Sequence, residues 1–296
     1  STSVHSDIVC HYVLNRGTEA QKQHYLPRLI TGSCVGAIAM TEPGTGSDLQ
    51  AIRATAREDG DSFVINGSKT FITNGQHCDV CIVAAKTDVN VAGSKGITLF
   101  LVDADIDGFE KGRNLEKIGL HASDTSELFF QDVRVPKESV LGQIGGGFAV
   151  LMGELQRERL TLANGALAAA EGIFEQTIEY VKERKAFGSA LSEFQNTKFK
   201  VAEMATEIKI HRAFVDECIE KLANGTLDVE TVSMAKLSVS EMLGRVTDTC
   251  LQLHGGYGYM KEYGVSRAFV DARVQRIYGG TSEIMKELIS RSVLGR

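Results

Sequence analysis

Glu158 is a carboxylate in a position that a helix would bury. It lies in the segment GELQRERLTLANG and shares one helical face with three apolar residues, Leu151, Leu155 and Leu162. A carboxylate within the apolar stripe of a helix should have a raised pKa, and such a group is a candidate general base. The alternative is that Glu158 pairs with Arg157, with Arg159 or with a basic residue of another helix. The spacing alone leaves both interpretations open.

Two short segments have residue types that suit an anion or a flat ring. MTEPGTGSDL (40–49) follows a predicted strand and exposes several backbone N–H groups, which bind anions or the polar edge of a ring. An ordinary β-turn is the alternative. In KTFITNG (69–75), Phe71 and Thr73 alternate with Ile72 and therefore share one face of a strand, where they could hold a heterocycle. The alternative is a pair of half-buried strand residues.

Three further segments lie where helices are predicted. Arg184 in ERKAFG could contact a phosphate, or it could offset the dipole at a helix end that the following glycine stops. Gly255 and Gly256 in LQLHGGYGYM permit close backbone approach, or they form a C-cap turn. In RVQRIYGGTSEIMKELISR, the glycines before Thr281 could leave helix N-terminal donors free for an anion, or a plainly capped helix begins there.

The elements that must position these residues change character along the chain. Residues 1–34 read as helices, and the first residues already do so, which predicts an N-terminal domain without its start. Between 35 and 141 apolar residues recur with a period of two in short runs. Because no helices separate these runs, an antiparallel sheet or barrel is predicted rather than a parallel one. Asn66-Gly67 predicts a tight hairpin turn within it.

The remainder of the chain is predicted to be helical. VLGQIGGGFAV at 140–150 is interpreted as a glycine-rich linker, because its glycines do not follow G-x-G-x-x-G. Four amphipathic helices with short connections favour a bundle, and they are predicted at 148–183, 192–224, 228–254 and 281–294. The prediction is therefore an α+β protein of three domains, with a partial helical domain at 1–34, a β domain at 35–141 and a four-helix bundle at 142–296.

The composition excludes several classes of protein. The chain has 296 residues, is 43% hydrophobic and 24% charged, and has a net charge of −6, which argues against nucleic acid as a partner. No apolar run approaches the ~20 residues that cross a bilayer, and no signal peptide is recognisable. Cys78 and Cys81 form a C-x-x-C without a second ligand pair, so structural thiols in a reducing compartment are predicted, and no metal site.

Taken together and in this order, five motifs resemble those of the acyl-CoA dehydrogenase family: AMTEPGTGSD, GSKTFITNG, ERKAFG, QLHGGYGYM and RIYGGTSEI. The resemblance covers essentially the whole chain, and QRERL with IYGGTSEIMKELISR is most similar to the long-chain members. It implies an acyl-CoA dehydrogenase-like fold that binds FAD in a homotetramer, with FAD sites shared between subunits. It also implies that the family's first helices are absent from this chain.

The resemblance implies roles for individual residues. Residues that match the FAD site are Ile38, Met40, Thr41, Gly46, Ser47, Phe71, Thr73, Arg184, Phe187, Gln195, Gln252, Gly255, Gly256, Thr281 and Glu283. Those that match the acyl-CoA site are Ser47, Arg159, Gly279 and Gly280. Most of the family has its catalytic glutamate directly after the tyrosine of the last motif, where this chain has Gly279. A minority has it before an arginine on the first helix of the bundle, and Glu158 occupies that place.

The implied activity is the α,β-dehydrogenation of a long- or medium-chain acyl-CoA to the trans-2-enoyl-CoA in fatty-acid β-oxidation. A carboxylate removes the α-proton, the β-hydrogen leaves as hydride to the flavin N5, and electrons then pass to an electron-transfer flavoprotein. Two alternatives remain, an acyl-CoA oxidase that uses O₂ and a non-catalytic flavin-binding member. The implied location is a bacterial cytoplasm or a mitochondrial matrix.

Overall fold

The computed structural model describes residues 1–91 and 93–295, which form two compact units. The first unit comprises Ser1–Lys117 and His121–Glu154; the second comprises Ile118–Leu120 and the chain from Leu155 onward. The long helix α3 (Gly147–Glu183) therefore has its first two turns in the first unit and its remainder in the second. The predicted boundaries of three domains, at residues 34 and 141, stay a prediction.

The first unit opens with helices, as predicted. A π-helical turn (Val4–Val9) leads into α1 (Cys10–Arg16), and α2 (Glu19–Thr31) follows. Thr18 and Gln21 form a capping box at the start of α2, and Gly32 ends it in the left-handed conformation at φ 73°. These helices pack on one face of a sheet.

The sheet has eight strands, β1 (Gly36–Ala39), β2 (Thr55–Asp59), β3 (Ser62–Thr73), β4 (Val80–Lys86), β5 (Ile97–Asp103), β6 (Phe109–Asn114), β7 (Thr125–Pro136) and β8 (Val140–Leu141). Their order is β6-β7-β3-β2-β4-β5-β8, and β1 pairs with β4. Most pairs are antiparallel, as predicted, but β1 and β2 both run parallel to β4. β4 and β5 are continuously apolar because both of their faces are covered.

The hairpin predicted at Asn66-Gly67 is wrong. The two residues lie inside β3, where the register against β7 shifts and forms a bulge. Gly67 has φ 147°, and a Cβ there would stand 2.7 Å from the Cβ of Ala54. The glycine is therefore needed for the bulge and for close packing of β2, and the chain reverses earlier, between Asp59 and Ser62.

The second unit is helical. After α3 come α4 (Gln195–Ala223), α5 (Val229–His254), α6 (Gly264–Ala272) and α7 (Ser282–Val293). Four of these five match the predicted helices, and the nine-residue α6 was not predicted. The core of the unit lies between α3, α4 and α5, with Leu167, Val215 and Val239 at its centre.

Gly188 is not the helix stop that was one interpretation of ERKAFG. α3 ends at Glu183, and the segment after it forms a small hairpin of β9 (Lys185–Ala186) and β10 (Ser189–Ala190). Phe187 (φ 52°) and Gly188 (φ 86°) form its two-residue turn, because a hairpin this tight requires positive φ at both positions.

The bulge at Gly67 generates a stability prediction. Gly67→Ala should lower the free energy of unfolding by about 1–3 kcal/mol, because the added methyl group overlaps Ala54. Gly60→Ala is the matched control, since Gly60 also has positive φ (61°) but open space where a Cβ would stand. Urea unfolding of both variants measures the difference. Equal losses in the two variants would contradict the packing argument.

Candidate active site

The loop after β1 brings together the candidate residues of the first unit. Its backbone is joined to β3, because the N–H of Thr70 donates to the carbonyl oxygen of Thr41 at 2.9 Å. Gly46 and Ser47 are exposed at the tip of the loop, whereas Met40 and Thr41 are half-buried at its base, as is Ile38 in β1. The loop is thus held against the strand that contains Phe71 and Thr73.

A buried ion pair fixes this loop. The ammonium group of Lys69, which is 0% exposed, donates to a carboxylate oxygen of Glu42 at 2.8 Å and to the carbonyl oxygen of Met40 at 3.1 Å. Glu42 also accepts from the backbone N–H groups of Arg53 (2.6 Å) and Ala54 (2.9 Å). Burial opposes ionisation of Glu42, but these donors outweigh it and hold the pKa of Glu42 below its usual value.

Sequence reasoning missed Lys69 and Glu42, although the signal was present. Each is the one charged residue of an otherwise neutral motif segment, MTEPG and GSKTF, and their charges are opposite. A lone charge in a strand is usually solvated, so only a partner identifies it as buried. The two motifs are neighbours because of this pair.

Phe71 and Thr73 lie on either side of Ile72 at the end of β3, and their shared face stays a prediction. The register between β3 and β7 shifts from Lys69 to Ile72, and Phe71 has φ 59° within that irregular stretch. Phe71 is 66% exposed, Ile72 is buried, and Thr73 is half-buried. A non-glycine residue in the left-handed region is uncommon, and such strain concentrates at functional sites.

Glu158 is buried, as the helical stripe predicted. It is 5% exposed on α3, and the neighbouring Arg159 is 6% exposed. Burial lowers the pKa of the Arg159 guanidinium, and the charge of Glu158 opposes that shift. Glu158 therefore lies near a buried cation, Arg159, and this location is compatible with a role as a base.

Arg159 and Lys236 contact the same short turn. The Nε of Arg159 donates to the carbonyl oxygen of Gly279 at 3.3 Å, and the Nζ of Lys236, on α5, donates to that of Gly280 at 2.5 Å. Gly279 and Gly280 have φ 64° and 98°. Lys236 is fully buried, and sequence reasoning did not identify it.

A side chain at position 279 would require Leu162 to move. A Cβ on Gly279 would overlap the Cδ1 of Leu162, which lies one helical turn after Glu158 on α3. A Cβ on Gly280 would stand 2.6 Å from the Cε of Met285. The space beside the diglycine turn is filled by apolar side chains.

For Thr281 and Gly255 the structure has the capping role that was the alternative interpretation of each. Thr281 is the N-cap of α7, where its hydroxyl oxygen accepts from the N–H of Ile284 at 3.3 Å, and Glu283 is exposed in the first turn. Gly255 ends α5 with φ 59°. A ligand role for these residues is compatible with the caps but does not follow from them.

The remaining candidates lie on the surface of the second unit. They are exposed side chains or glycines, and they comprise Arg184, Phe187, Gln195, Gln252, Gly255 and Gly256. The guanidinium of Arg184 lies 5.3 Å from the ring centroid of Tyr257, which brings ERKAFG beside the glycines of LQLHGGYGYM. Two of the motifs thus form one exposed surface.

The thiols of Cys78 and Cys81 are buried, and burial raises the pKa of Cys78 to about 11. Across residues 1–91 and 93–295, no group of three His, Cys, Asp or Glu side chains is arranged to hold a metal ion. Over the same residues, no helix has the length and apolar character that a membrane crossing requires.

The Lys69–Glu42 pair generates a prediction. Lys69→Met should lower the free energy of unfolding by about 3–5 kcal/mol, because it leaves a carboxylate buried without its cation. The control is Lys137→Met, which breaks the exposed pair with Glu58 and should have a small effect. Adding Glu42→Gln to Lys69→Met should restore part of the stability. Equal unfolding midpoints in urea for the two single variants would refute the role of the pair.

The crowding at position 279 generates a second stability prediction for this site. Gly279→Glu should lower the free energy of unfolding by about 1–3 kcal/mol, because a side chain at positive φ is strained and displaces Leu162. Leu162→Ala in the same chain should remove part of that loss. A double-mutant cycle measures the coupling, and strictly additive effects would show that Leu162 does not fill the position.

Family models match nearly the whole chain. They are the acyl-CoA dehydrogenase N-terminal domain at residues 1–33, the middle domain at 37–133 and the C-terminal domain at 145–294. The mitochondrial long-chain specific acyl-CoA dehydrogenase of Sus scrofa is 52% identical over 293 residues, 99% of this chain and 68% of that protein.

Solved structures of acyl-CoA dehydrogenases have the same fold as this chain. An acyl-CoA dehydrogenase from Geobacillus kaustophilus has a TM-score of 0.96 at 52% identity, over 98% of this chain and 77% of that one. A glutaryl-CoA dehydrogenase from Mycobacterium smegmatis, solved in complex with FADH2, has a TM-score of 0.94 at 32% identity, over 99% and 74%. The predicted resemblance and fold class are confirmed, and the chain belongs to the acyl-CoA dehydrogenase family of oxidoreductases.

Proposed function

We propose that this chain catalyses the α,β-dehydrogenation of a long- or medium-chain acyl-CoA, with FAD as its cofactor and Glu158 as the base. The observation that carries the proposal is the pairing of two features. A buried carboxylate is present at Glu158, whereas position 279, the usual place in the family, is a glycine at φ 64° where a Cβ would overlap Leu162 unless that side chain moved. The identity to long-chain enzymes supports the choice of substrate class.

The residues present in the first unit fit a flavin. An aromatic ring that is 66% exposed on a strand is a surface on which a flat heterocycle can pack, and Phe71 provides it. The hydroxyl of Thr73 and the loop from Met40 to Ser47 add polar atoms beside that ring. We assign these residues and Ile38 to the flavin.

The surface of the second unit fits the pyrophosphate and adenosine half of the FAD of a neighbouring subunit. The exposed cation of Arg184 suits a pyrophosphate, and the open backbone at Gly255 and Gly256 leaves room for a ligand, because a Cβ there would meet nothing within 4 Å. Phe187, Gln195 and Gln252 belong to the same assignment, as do Thr281 and Glu283 at α7. When bound, FAD supplies the acceptor for the two electrons of the oxidation.

The chain's own residues perform the proton chemistry. The α-proton of a thioester is only weakly acidic, so its removal requires a base in a dry environment and a donor to the thioester oxygen as charge develops there. The buried carboxylate of Glu158 takes the proton. The backbone N–H of Gly279 donates to the oxygen, and Arg159 holds the carbonyl of that same residue at 3.3 Å. Gly280 belongs to the same proposed thioester site, and Ser47 is assigned to the acyl-CoA from its match to the family motif.

The proposal extends to partners and setting. An electron-transfer flavoprotein accepts the electrons, the active protein is a homotetramer with FAD sites shared between subunits, and the pathway is fatty-acid β-oxidation. Either a bacterial cytoplasm or a mitochondrial matrix suits this chemistry. The support for these points is family membership and the mitochondrial origin of related enzymes.

The test follows flavin bleaching when the full-length protein meets acyl-CoAs of graded chain length without oxygen. Glu158→Gln should slow bleaching by about 10²–10⁴-fold, because the amide cannot accept the proton. Glu154→Gln is the matched control. Glu154 is equally buried one turn earlier on α3, where it pairs with Arg16 at 2.9 Å, and it is not assigned to the substrate site. Its rate should match that of the wild type.

Three results would overturn parts of the proposal. Bleaching of Glu158→Gln at the rate of Glu154→Gln would remove Glu158 as the base. If none of the tested acyl-CoAs bleaches the flavin of the wild type, the protein would instead be a non-catalytic flavin-binding member. Rapid reoxidation by air after bleaching would identify an acyl-CoA oxidase.

A further inference from the structure

We propose that Lys236 is a positioning residue for this reaction, one that holds the diglycine turn so that the N–H of Gly279 points at the thioester oxygen. The inference rests on the proposed function and deepens it. It is carried by the hydrogen bond from Nζ of Lys236 to the carbonyl oxygen of Gly280, at 2.5 Å, and by the burial of Lys236, which is 1% exposed.

The location of Lys236 requires an explanation. Its side chain is 1% exposed within α5, a helix that otherwise buries apolar and small residues at this level. Removing an ammonium group from water costs several kcal/mol, so a buried lysine usually has a fixed acceptor. The acceptor here is a backbone carbonyl of a turn and not a carboxylate. The charge is thus used to hold backbone.

The turn is one that needs to be held. Gly279 and Gly280 both have positive φ, and glycine has more backbone conformations to lose than any other residue. Two successive carbonyls are fixed by two cations on different helices, Arg159 on α3 and Lys236 on α5. With both carbonyls fixed, the peptide planes on either side of Gly280 have one orientation, and the first of them joins, at the Cα of Gly279, the plane that contains the N–H of Gly279. A backbone N–H is a useful donor in catalysis only if its direction is set in advance.

The charges around Lys236 make its hydrogen bond to the carbonyl oxygen of Gly280 sensitive to pH. Burial and the positive charge of Arg159 on α3 lower the pKa of Lys236 to about 8, and Glu283 on α7 opposes that shift. Glu158 is the buried carboxylate beside Arg159 on the same helix. Below pH 8 the ammonium donates a charge-assisted hydrogen bond, which is roughly twice as strong as a neutral one. Above pH 8 the proton is lost and the turn loosens.

The experiment compares three variants of the full-length FAD-loaded protein. Lys236→Met removes the charge and the donor but keeps the length of the side chain. Lys236→Arg keeps a cation that does not titrate. Ser233→Ala is the matched control, because Ser233 is also buried, lies one turn earlier on α5, and donates to Val229 within its own helix at 2.6 Å.

Two readouts distinguish positioning from support of the fold. One is the absorption of a bound aryl-conjugated 2-enoyl-CoA, which shifts to the red when a donor polarises its carbonyl. The other is the rate of flavin bleaching at saturating acyl-CoA. In Lys236→Met the red shift should shrink and the rate should fall about 10²-fold, with flavin content and acyl-CoA affinity retained. Ser233→Ala should keep both at wild-type values.

The pH profile adds an independent arm. The wild-type bleaching rate should fall as pH rises through about 8, because Lys236 deprotonates there. Lys236→Arg should restore the red shift and remove that fall, since its cation stays charged. A fall at pH 8 that persists in Lys236→Arg would overturn the assignment, and so would a folded Lys236→Met with the wild-type red shift and rate.

The outcomes separate this inference from the proposed function. If the wild type bleaches with an acyl-CoA and Lys236→Met does so equally, only the role of Lys236 fails. If no acyl-CoA bleaches the flavin of the wild type, the proposed function itself is wrong. Should Lys236→Met not fold, Lys236→Arg and its pH profile still decide.

Discussion

An ammonium group that leaves water needs fixed acceptors, and in each of the two units a buried lysine finds them on a segment that contains candidate residues. In the first unit, Lys69 contacts the loop after β1 through Glu42 and the carbonyl of Met40. In the second unit, Lys236 contacts the turn before α7 through the carbonyl of Gly280. Because a buried charge without its partner is costly, these hydrogen bonds favour one arrangement of each segment. The order of each segment is thus a consequence of where charge is buried.

The two lysines bind segments that differ in how much of their order comes from within the segment. The loop at Met40–Asp48 includes a proline, a buried carboxylate and hydrogen bonds of its own between Glu42 and Thr45. The Gly279-Gly280 turn has no side chains and depends on Arg159 and Lys236 for its conformation. A rigid loop suits the face of a flat cofactor, and a bare turn suits a donor that must approach a substrate oxygen closely.

The sequence predicted those elements whose apolar residues repeat. β1, β3 and β7 follow from a period of two, β4 and β5 from short apolar runs, and four helices of the second unit from a period of 3.6. β2 and β6 were missed because most of their side chains are polar, so no alternation shows. Asn66-Gly67 misled because the same residues that make a tight turn also make a bulge, and only the partner strand decides between them. Glu158 was found since three leucines mark its face, whereas the lone charge of Lys69 indicates burial only together with its partner Glu42, and Lys236 was not identified from its segment.

The packing of Leu162 against Gly279 has a consequence for how the two positions can vary. A Cβ at position 279 and the Cδ1 of Leu162 would occupy the same space, so we expect the effect of a substitution at either position to depend on the residue at the other. Moving a catalytic carboxylate from one segment of the chain to another therefore involves the residue that packs beside it as well as the carboxylate itself.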